Sequence, residues 1–411
     1  MLGSSGLRIG ERIPVASLTL AVLALSLASP VGAQSPFFGP RATGMAGAMT
    51  AAVDDGMALW INPAGLARDA RLDGELYGSA VATDEGQFRS IVNGLSASDL
   101  TSAAENPAEA LGIVGQLGSL TEPGTGVVGS GSVGFGVAWK GFALGIDDTA
   151  YAGVYPHVDF THIQPGNDPA TSILFNETAV RSAGLQAREA RLGLSTGLLE
   201  KLLLVGVTLR FINGRTTYLS QSVFDVDYGN PMSVARQALD SNPEDTTRFT
   251  LDAGAMFNVL DVARVGVVST AITQPSFPVQ QDAGNPELAG APASLTLPRT
   301  LRAGAEATVI GVVTIAMDGD LIRTATLVPG GYSQQLSTGI EVRLPLFALR
   351  AGAFYDFAAL DPHWAFSAGF GLLLPVVSVS GSIVLSTYQG LSLASANQRN
   401  IGASLGGRVR F

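Results

Sequence analysis

The sequence predicts an all-β fold, a transmembrane antiparallel β-barrel of about 14 strands with an N-terminal hatch-like plug segment. Three observations carry this reading. The chain is apolar without offering a spanning helix, its runs of alternating polarity are long, and its last residues form one more such run. Of the 411 residues, 46% are hydrophobic and 14% charged, with 50 Gly and only two Lys, Lys140 and Lys201. Beyond the N-terminal region no stretch approaches the roughly 18 continuous apolar residues of a membrane helix. In lipid every backbone N–H and C=O must find a partner within the protein, and a sheet closed on itself is the other way to do so.

The N-terminal 33 residues read as a signal peptide. Arg8 and Arg12 make a weakly basic start, Val15 to Leu27 is apolar, and Val31-Gly32-Ala33 supplies small residues for cleavage after Ala33.

Residues 34–71 differ from the rest, being rich in Gly, Ala and Met. Small residues allow close backbone packing, and Asn62-Pro63 has the form of a helix start, Asn as the cap and Pro at the first helical position. This segment is expected to pack on or inside the barrel rather than to form strands.

Residues 72–411 are expected to be the barrel itself. In Arg248 to Val259, Phe249, Leu251, Ala253, Ala255, Phe257 and Val259 alternate with Arg248, Thr250, Asp252, Gly254, Met256 and Asn258. Successive strand side chains point to opposite faces, so one face is apolar and the other largely polar. The pattern returns in Leu203 to Phe211, Leu301 to Val309, Val313 to Leu321, Leu336 to Leu344 and Val377 to Leu385. Strands of soluble sandwiches average about 5–6 residues, whereas crossing hydrocarbon at a tilt needs about 9–11; these runs match the longer figure. Trp139, Tyr151, Tyr355 and Trp364 fall where strand ends would place an aromatic girdle. Asn106-Pro107-Ala108-Glu109 predicts one short helix in a loop at the barrel mouth. Polar clusters at Asp225 to Asn230 and Gln281 to Asn285 predict long surface loops.

Several chemistries are excluded or unsupported. A net charge of −10 and the lack of any basic run argue against nucleic acid. Without cysteine there is no disulfide, thiolate nucleophile or cysteine metal site. Gly129 to Gly134 spells a dinucleotide fingerprint, but Phe135, Val137 and Trp139 then alternate as a strand, where the chemistry needs a helix. His157 and Asp159 share a strand face while His162 falls on the other, poor spacing for a metal. Asp54 and Asp55 are adjacent, so their side chains diverge and suit capping or lumen contacts better than paired acid–base work. No catalytic set and no cofactor are expected, and the chain does not read as an enzyme. Arg210, Arg248, Asp252, Arg302, Glu306, Asp318, Asp320, Glu341, Arg343, Arg350 and Asp356 face inward by parity, and mixed signs on neighbouring strands suit a cross-strand ion-pair ladder.

Ile401, Ala403, Leu405, Val409 and Phe411 form the last alternating run. It is similar to the closing strand of bacterial outer-membrane barrels, whose terminal Phe is read by the barrel-assembly machinery, which would make Phe411 the assembly signal. Pro40 to Ala48, Asp54-Asp55 and Trp60-Ile61-Asn62-Pro63-Ala64-Gly65-Leu66-Ala67 resemble the mature N-terminus of the FadL-like outer-membrane barrel superfamily, nearest to its TraF-type plasmid-transfer barrels. Phe249 to Gly254, Leu301 to Ala305, Asp318 to Leu321 and Leu349 to Gly352 extend the resemblance over nearly the whole mature chain.

By that resemblance residues 34–71 form a hatch, with Asn62, Pro63 and Ala64 holding its geometry, and the barrel carries hydrophobic, fatty-acid-like molecules across the outer membrane of a Gram-negative bacterium. An apolar pocket in the lumen would then be lined by Met45, Met49, Met57, Leu59 and Trp60, with Phe354 inward by strand parity. The methionines equally suit gap filling within the plug. The expected surroundings are outer-membrane lipid and a small hydrophobic ligand. The alternative is a non-transport barrel that docks an envelope or conjugation-related partner.

Overall fold

The computed structural model describes residues 37–68, 71–98, 100–163, 168–224, 245–260, 262–280, 285, 288, 290–388 and 398–411. The signal-peptide region and the Asp225 to Asn230 loop lie outside these residues, as does all of the Gln281 loop but Asn285.

Eighteen strands occur among the described residues. Those of the first half are β1 (Asp73–Glu85), β2 (Gly126–Trp139), β3 (Phe142–His157), β4 (Ala179–Leu198), β5 (Leu203–Ser222), β6 (Asp245–Leu260) and β7 (Ala263–Thr270). Those of the second half are β10 (Thr300–Val309), β11 (Val313–Asp320), β14 (Gln335–Arg343), β15 (Phe347–Asp356), β16 (His363–Leu373), β17 (Val377–Thr387) and β18 (Gln398–Arg410). These form one closed antiparallel barrel in which β1 pairs with both β2 and β18. Closure leaves no unpaired edge, as the apolar outer face requires. Two ribbons stand in loops: β8 (Ser276–Pro278) with β9 (Ser294–Thr296), and β12 (Thr324–Ala325) with β13 (Tyr332–Ser333).

The alternation read from the sequence becomes an apolar outside and a polar inside. On β2 and β3, Phe135, Val137, Leu144 and Ile146 are exposed, whereas Asp147 and Thr149 are buried. One end of the barrel has short turns. Lys140 and Gly141 join β2 to β3 with both φ positive, the two-residue turn whose twist matches its strands. The other end carries the long loops. There α3 (Phe88–Ser96), α4 (Leu100–Glu105) and α5 (Pro107–Ser119) lie between β1 and β2, and α6 (Pro169–Leu174) between β3 and β4. The Asn106 side chain accepts from Ala108 N, the cap that its Asn-Pro sequence predicts. Phe88, Val92, Ile113 and Leu117 pack with Val127, Val180 and Ile173 to hold these helices over the strand ends.

Strands β4 and β5 each run 20 residues, about twice what a crossing needs, so the wall rises toward the helical end. This length corrects one expectation. Tyr151 sits inside the 16-residue β3 rather than at its end, and is buried in the lumen. Trp139 and Trp364 are half exposed on the outer face, as a girdle requires.

Candidate functional site: the plug and its two cavities

The segment preceding β1 fills the barrel. It comprises α1 (Gly39–Gly44), α2 (Ala58–Ile61) and a 3-10 turn (Pro63–Ala67). None of these pieces is long enough to be stable alone; the wall holds them. Met45, Met49, Leu59 and Ala64 are almost wholly buried. Asn62 does three things at once. Its Oδ1 accepts from Ala64 N and caps the 3-10 turn, its Nδ2 donates to Thr50 O at 2.8 Å, and a further contact reaches Val267 O on β7.

The seat is made of glycine. Facing pairs on adjacent strands are Gly136 with Gly145, Gly206 with Gly254, Gly266 with Gly304, and Gly339 with Gly352. A Cβ at these positions would run into Trp60, Pro63, Asn62, Thr50 or Met45 of the plug, or, at Gly304, into Asp318. Without side chains there, the plug backbone approaches the strands closely enough for wall groups to bond it. Ser382, Ser367, Thr208 and Ser195 donate to the carbonyls of Pro40, Gly44, Leu59 and Ala64. Asp318 Oδ2 accepts from Met49 N and Thr50 N at 2.9 and 2.8 Å. Each neutral bond contributes about 0.5–1.5 kcal/mol net and each charged one about 1.5–3, so a plug held on many strands stays seated.

Ion pairs reinforce the seat. Arg41 meets Glu341 on β14 together with Asp54 and Asp55, and Arg68 meets Glu306 on β10. Burial alone would raise the Asp54 pKa, but Arg41, Arg68, Arg343 and Arg408 outweigh it and hold this carboxyl well below the usual range. The expected ladder is present in the wall. Trp60 Nε1 donates to Asp147, Arg191 bridges Asp147 and Glu189, and Arg210 bridges Glu189 and Asp252. Farther round the wall Arg302 of β10 bonds Asp318 and Asp320 of β11 and Ser337 of β14. Arg248 departs from the expected inward set: it is exposed and donates to Ser276 O.

Two cavities flank the plug. The upper one, about 110 Å³, lies toward the long loops. Its floor is Phe37, Phe38, Trp60 and Ile61 of the plug, and Leu297 and Pro298 reach it from the loop after β9. Arg191, Arg210 and Arg302 also border it, but their charges are engaged with carboxylates, so the cavity does not demand a charged occupant. A dry apolar cavity of about 150 Å³ takes benzene, so this one has the scale of a single ring or a short chain. The lower cavity, about 230 Å³, lies toward the short turns, between Pro40, Arg41 and Met57 of the plug and Arg343, Arg408 and Leu374 of the wall.

Of the residues singled out from the sequence, Trp60 borders the upper cavity and Met57 the lower. Phe354 does point inward, where its ring meets Phe37 at 5.5 Å and borders a smaller cavity of about 20 Å³. Met45, Met49 and Leu59 border none of these cavities and pack between plug and wall. Sequence reasoning passed over Phe37, Phe38 and Tyr77. Strand parity could have found Tyr77, which shares its face with Asp73, Glu75 and Ser79. Gly129 to Gly134 lies within β2. His162 pairs with Asp159 in the loop after β3, and no cluster of three metal-ligating side chains occurs among the described residues.

A family model described as the F plasmid transfer operon TraF protein matches residues 59–320. No curated protein sequence shows significant similarity. Among solved structures the chain is similar to the CymD monoaromatic hydrocarbon channel, with TM-score 0.49, 14% identity, and coverage of 93% of this chain and 98% of that one. It is similar to the Pseudomonas putida toluene transporter TodX, with TM-score 0.49, 12% identity, and coverage of 91% and 98%. A Pseudomonas aeruginosa FadL homologue gives TM-score 0.47 at 12% identity, with coverage of 93% and 99%.

Proposed function

The chain belongs to the TraF family of F plasmid transfer operon proteins, and within that family we propose that it is an outer-membrane barrel passing small hydrophobic molecules, gated by its N-terminal plug. The observation that carries this reading is the ring-floored cavity above the plug. Phe37, Phe38, Trp60 and Ile61 turn an apolar surface into the lumen, where Val81 and Val268 of the wall join them, and such a surface gains by covering itself with an apolar guest. The cavity's size favours a single ring or short chain, so a long acyl chain would require loops or plug to shift. In the same reading residues 1–33 are removed on export, Phe411 is the signal to the barrel-assembly machinery, and Asn62, Pro63 and Ala64 keep the plug in register.

The test is uptake by cells, where the outer membrane is the barrier. Cells expressing the chain should take up labelled toluene faster than cells with an empty vector, and labelled palmitate by a smaller margin. Equal rates for both solutes, from a barrel verified as folded and inserted, would sink the transport reading.

A second reading, a barrel that docks an envelope or conjugation-related partner, draws on the long-loop end. Leu111 on α5, Phe160, Leu174 at the end of α6 and Phe175 are all more than half exposed there, and apolar side chains clustered in surface loops suit an interface.

A further inference from the structure

The two cavities share one partition, and it is aromatic. Phe38 and Trp60 border the upper cavity, while their plug neighbours Pro40 and Met57 border the lower one. Between them stands Tyr77 of β1, edge-on to Trp60 at 5.3 Å and to Phe38 at 6.3 Å. Tyr77 itself borders the lower cavity. Its hydroxyl is buried beside Ser132, which borders the upper cavity. Gly134 and Gly136 of β2 form the shelf on which the rings of Tyr77 and Trp60 rest.

From this geometry we infer that the lower cavity is a second station for the transported molecule, reached from the upper one by rotation of Tyr77 and Phe38 while Trp60, bonded to Asp147, and the rest of the plug stay seated. The inference rests on the transport reading above. Around β3–β5, β10, β11, β14, β16 and β17 the plug is fixed by hydrogen bonds and ion pairs. Toward β1 it presents rings, whose contacts are non-directional and can be remade after a rotation. In the lower cavity, which six arginines, Asp55 and Glu75 also line, Met57 and Tyr77 offer sulfur and ring contacts, and the guanidinium planes of Arg41 and Arg408 are suited to an aromatic face. The occupant is therefore a single-ring aromatic molecule.

The chain has no cysteine, so a single disulfide can lock the plug, with the Glu75 side chain moving aside for a Cβ at Gly56. A Cβ at Gly56 would stand 3.8 Å from that of Ala138 on β2, the separation a disulfide prefers. The locked pair Gly56→Cys/Ala138→Cys would be placed in planar bilayers, and potassium chloride conductance recorded before and after reduction. The locked chain alone should be silent. Tyr77→Ala or Phe38→Ala in the locked chain should conduct steadily, with no change on reduction. Leu66→Ala, which removes bulk between plug and β4, should stay silent. The route is overturned if the locked Tyr77 and Phe38 variants are silent, if conductance appears only on reduction, or if Leu66→Ala conducts as well. Disulfide formation on a gel reports that the plug is seated in each variant.

The two readings fail separately. Cells carrying the locked chain should take up labelled toluene at the unlocked rate. Uptake that vanishes on locking would overturn the route and leave transport standing. Conducting locked variants without toluene uptake by the parent chain would leave the route but sink transport.

Discussion

The amide oxygen of Asn62 occupies the space in which a Cβ at Gly254 would stand. One wall position is therefore glycine because one plug residue is asparagine. Gly254→Ala should displace the Asn62 side chain and break both its bond to Thr50 O and its cap on Ala64 N. A destabilisation of about 1–3 kcal/mol is expected from overpacking, measured by denaturant unfolding in micelles. Asn62→Ala should cost less in the Gly254→Ala background than in the parent, because the two act on one contact. Equal costs in both backgrounds would contradict the shared-site account.

Asp318 ties two successive plug amides to the wall. Asp318→Ala leaves Met49 N, Thr50 N and part of the Arg302 guanidinium without their acceptor. Breaking a buried charged partnership typically costs about 3–5 kcal/mol, and Arg302 retains Asp320 and Ser337, so the lower end is expected. The loss should fall on the plug, read as faster limited proteolysis within residues 37–68 while the barrel strands stay protected. Uniform loss of protection over the whole barrel would refute this assignment.

Plug seating should be acid-sensitive through Asp54. Its pKa in the folded chain lies below the ordinary carboxylate value of about 4, because the surrounding arginines outweigh burial. A depressed carboxylate pKa contributes stability that is fully present above the unfolded value and lost as pH falls through the folded one. Protection of the plug from protease should therefore hold from neutral pH down to about 4 and decline below it. Asp54→Asn should weaken protection at pH 7 and flatten the decline. An unchanged acid profile in that variant would exclude Asp54 as the group responsible.

Tryptophan emission can test which face meets lipid. Trp139 and Trp364 are half exposed on the outer surface, whereas Trp60 is buried against Asp147 and Tyr77. Brominated lipids should quench the parent chain strongly and the Trp139→Phe/Trp364→Phe variant little. Strong quenching of that variant would place Trp60 in contact with lipid and contradict the lumen assignment.

The strand pattern was legible because it is local. Alternation in Leu301 to Val309 anticipated β10 almost to the residue, and Asn106-Pro107 marked the start of α5. The inward carboxylates and arginines followed from the same parity, and their pairing from mixed signs on adjacent strands. The cavities were not legible. Met45, Met49, Leu59 and Trp60 look alike as buried apolar residues, yet of these only Trp60 borders either of the two cavities flanking the plug. Which side of the plug each faces depends on how α1, α2 and the 3-10 turn lie across the lumen.

By itself the sequence determined that the chain forms a barrel with its apolar face outward and a separate, small-residue segment before it. A two-residue period and a cap are properties of neighbouring residues, and no distant contact is needed to state them. Only the tertiary structure decided that Arg41 would meet Glu341, 300 positions away, that a belt of wall glycines would receive the plug, and that Tyr77 would stand between two cavities. Those relations come from closing β1 onto β18 around a folded segment, and closure brings together residues that no spacing in the chain relates.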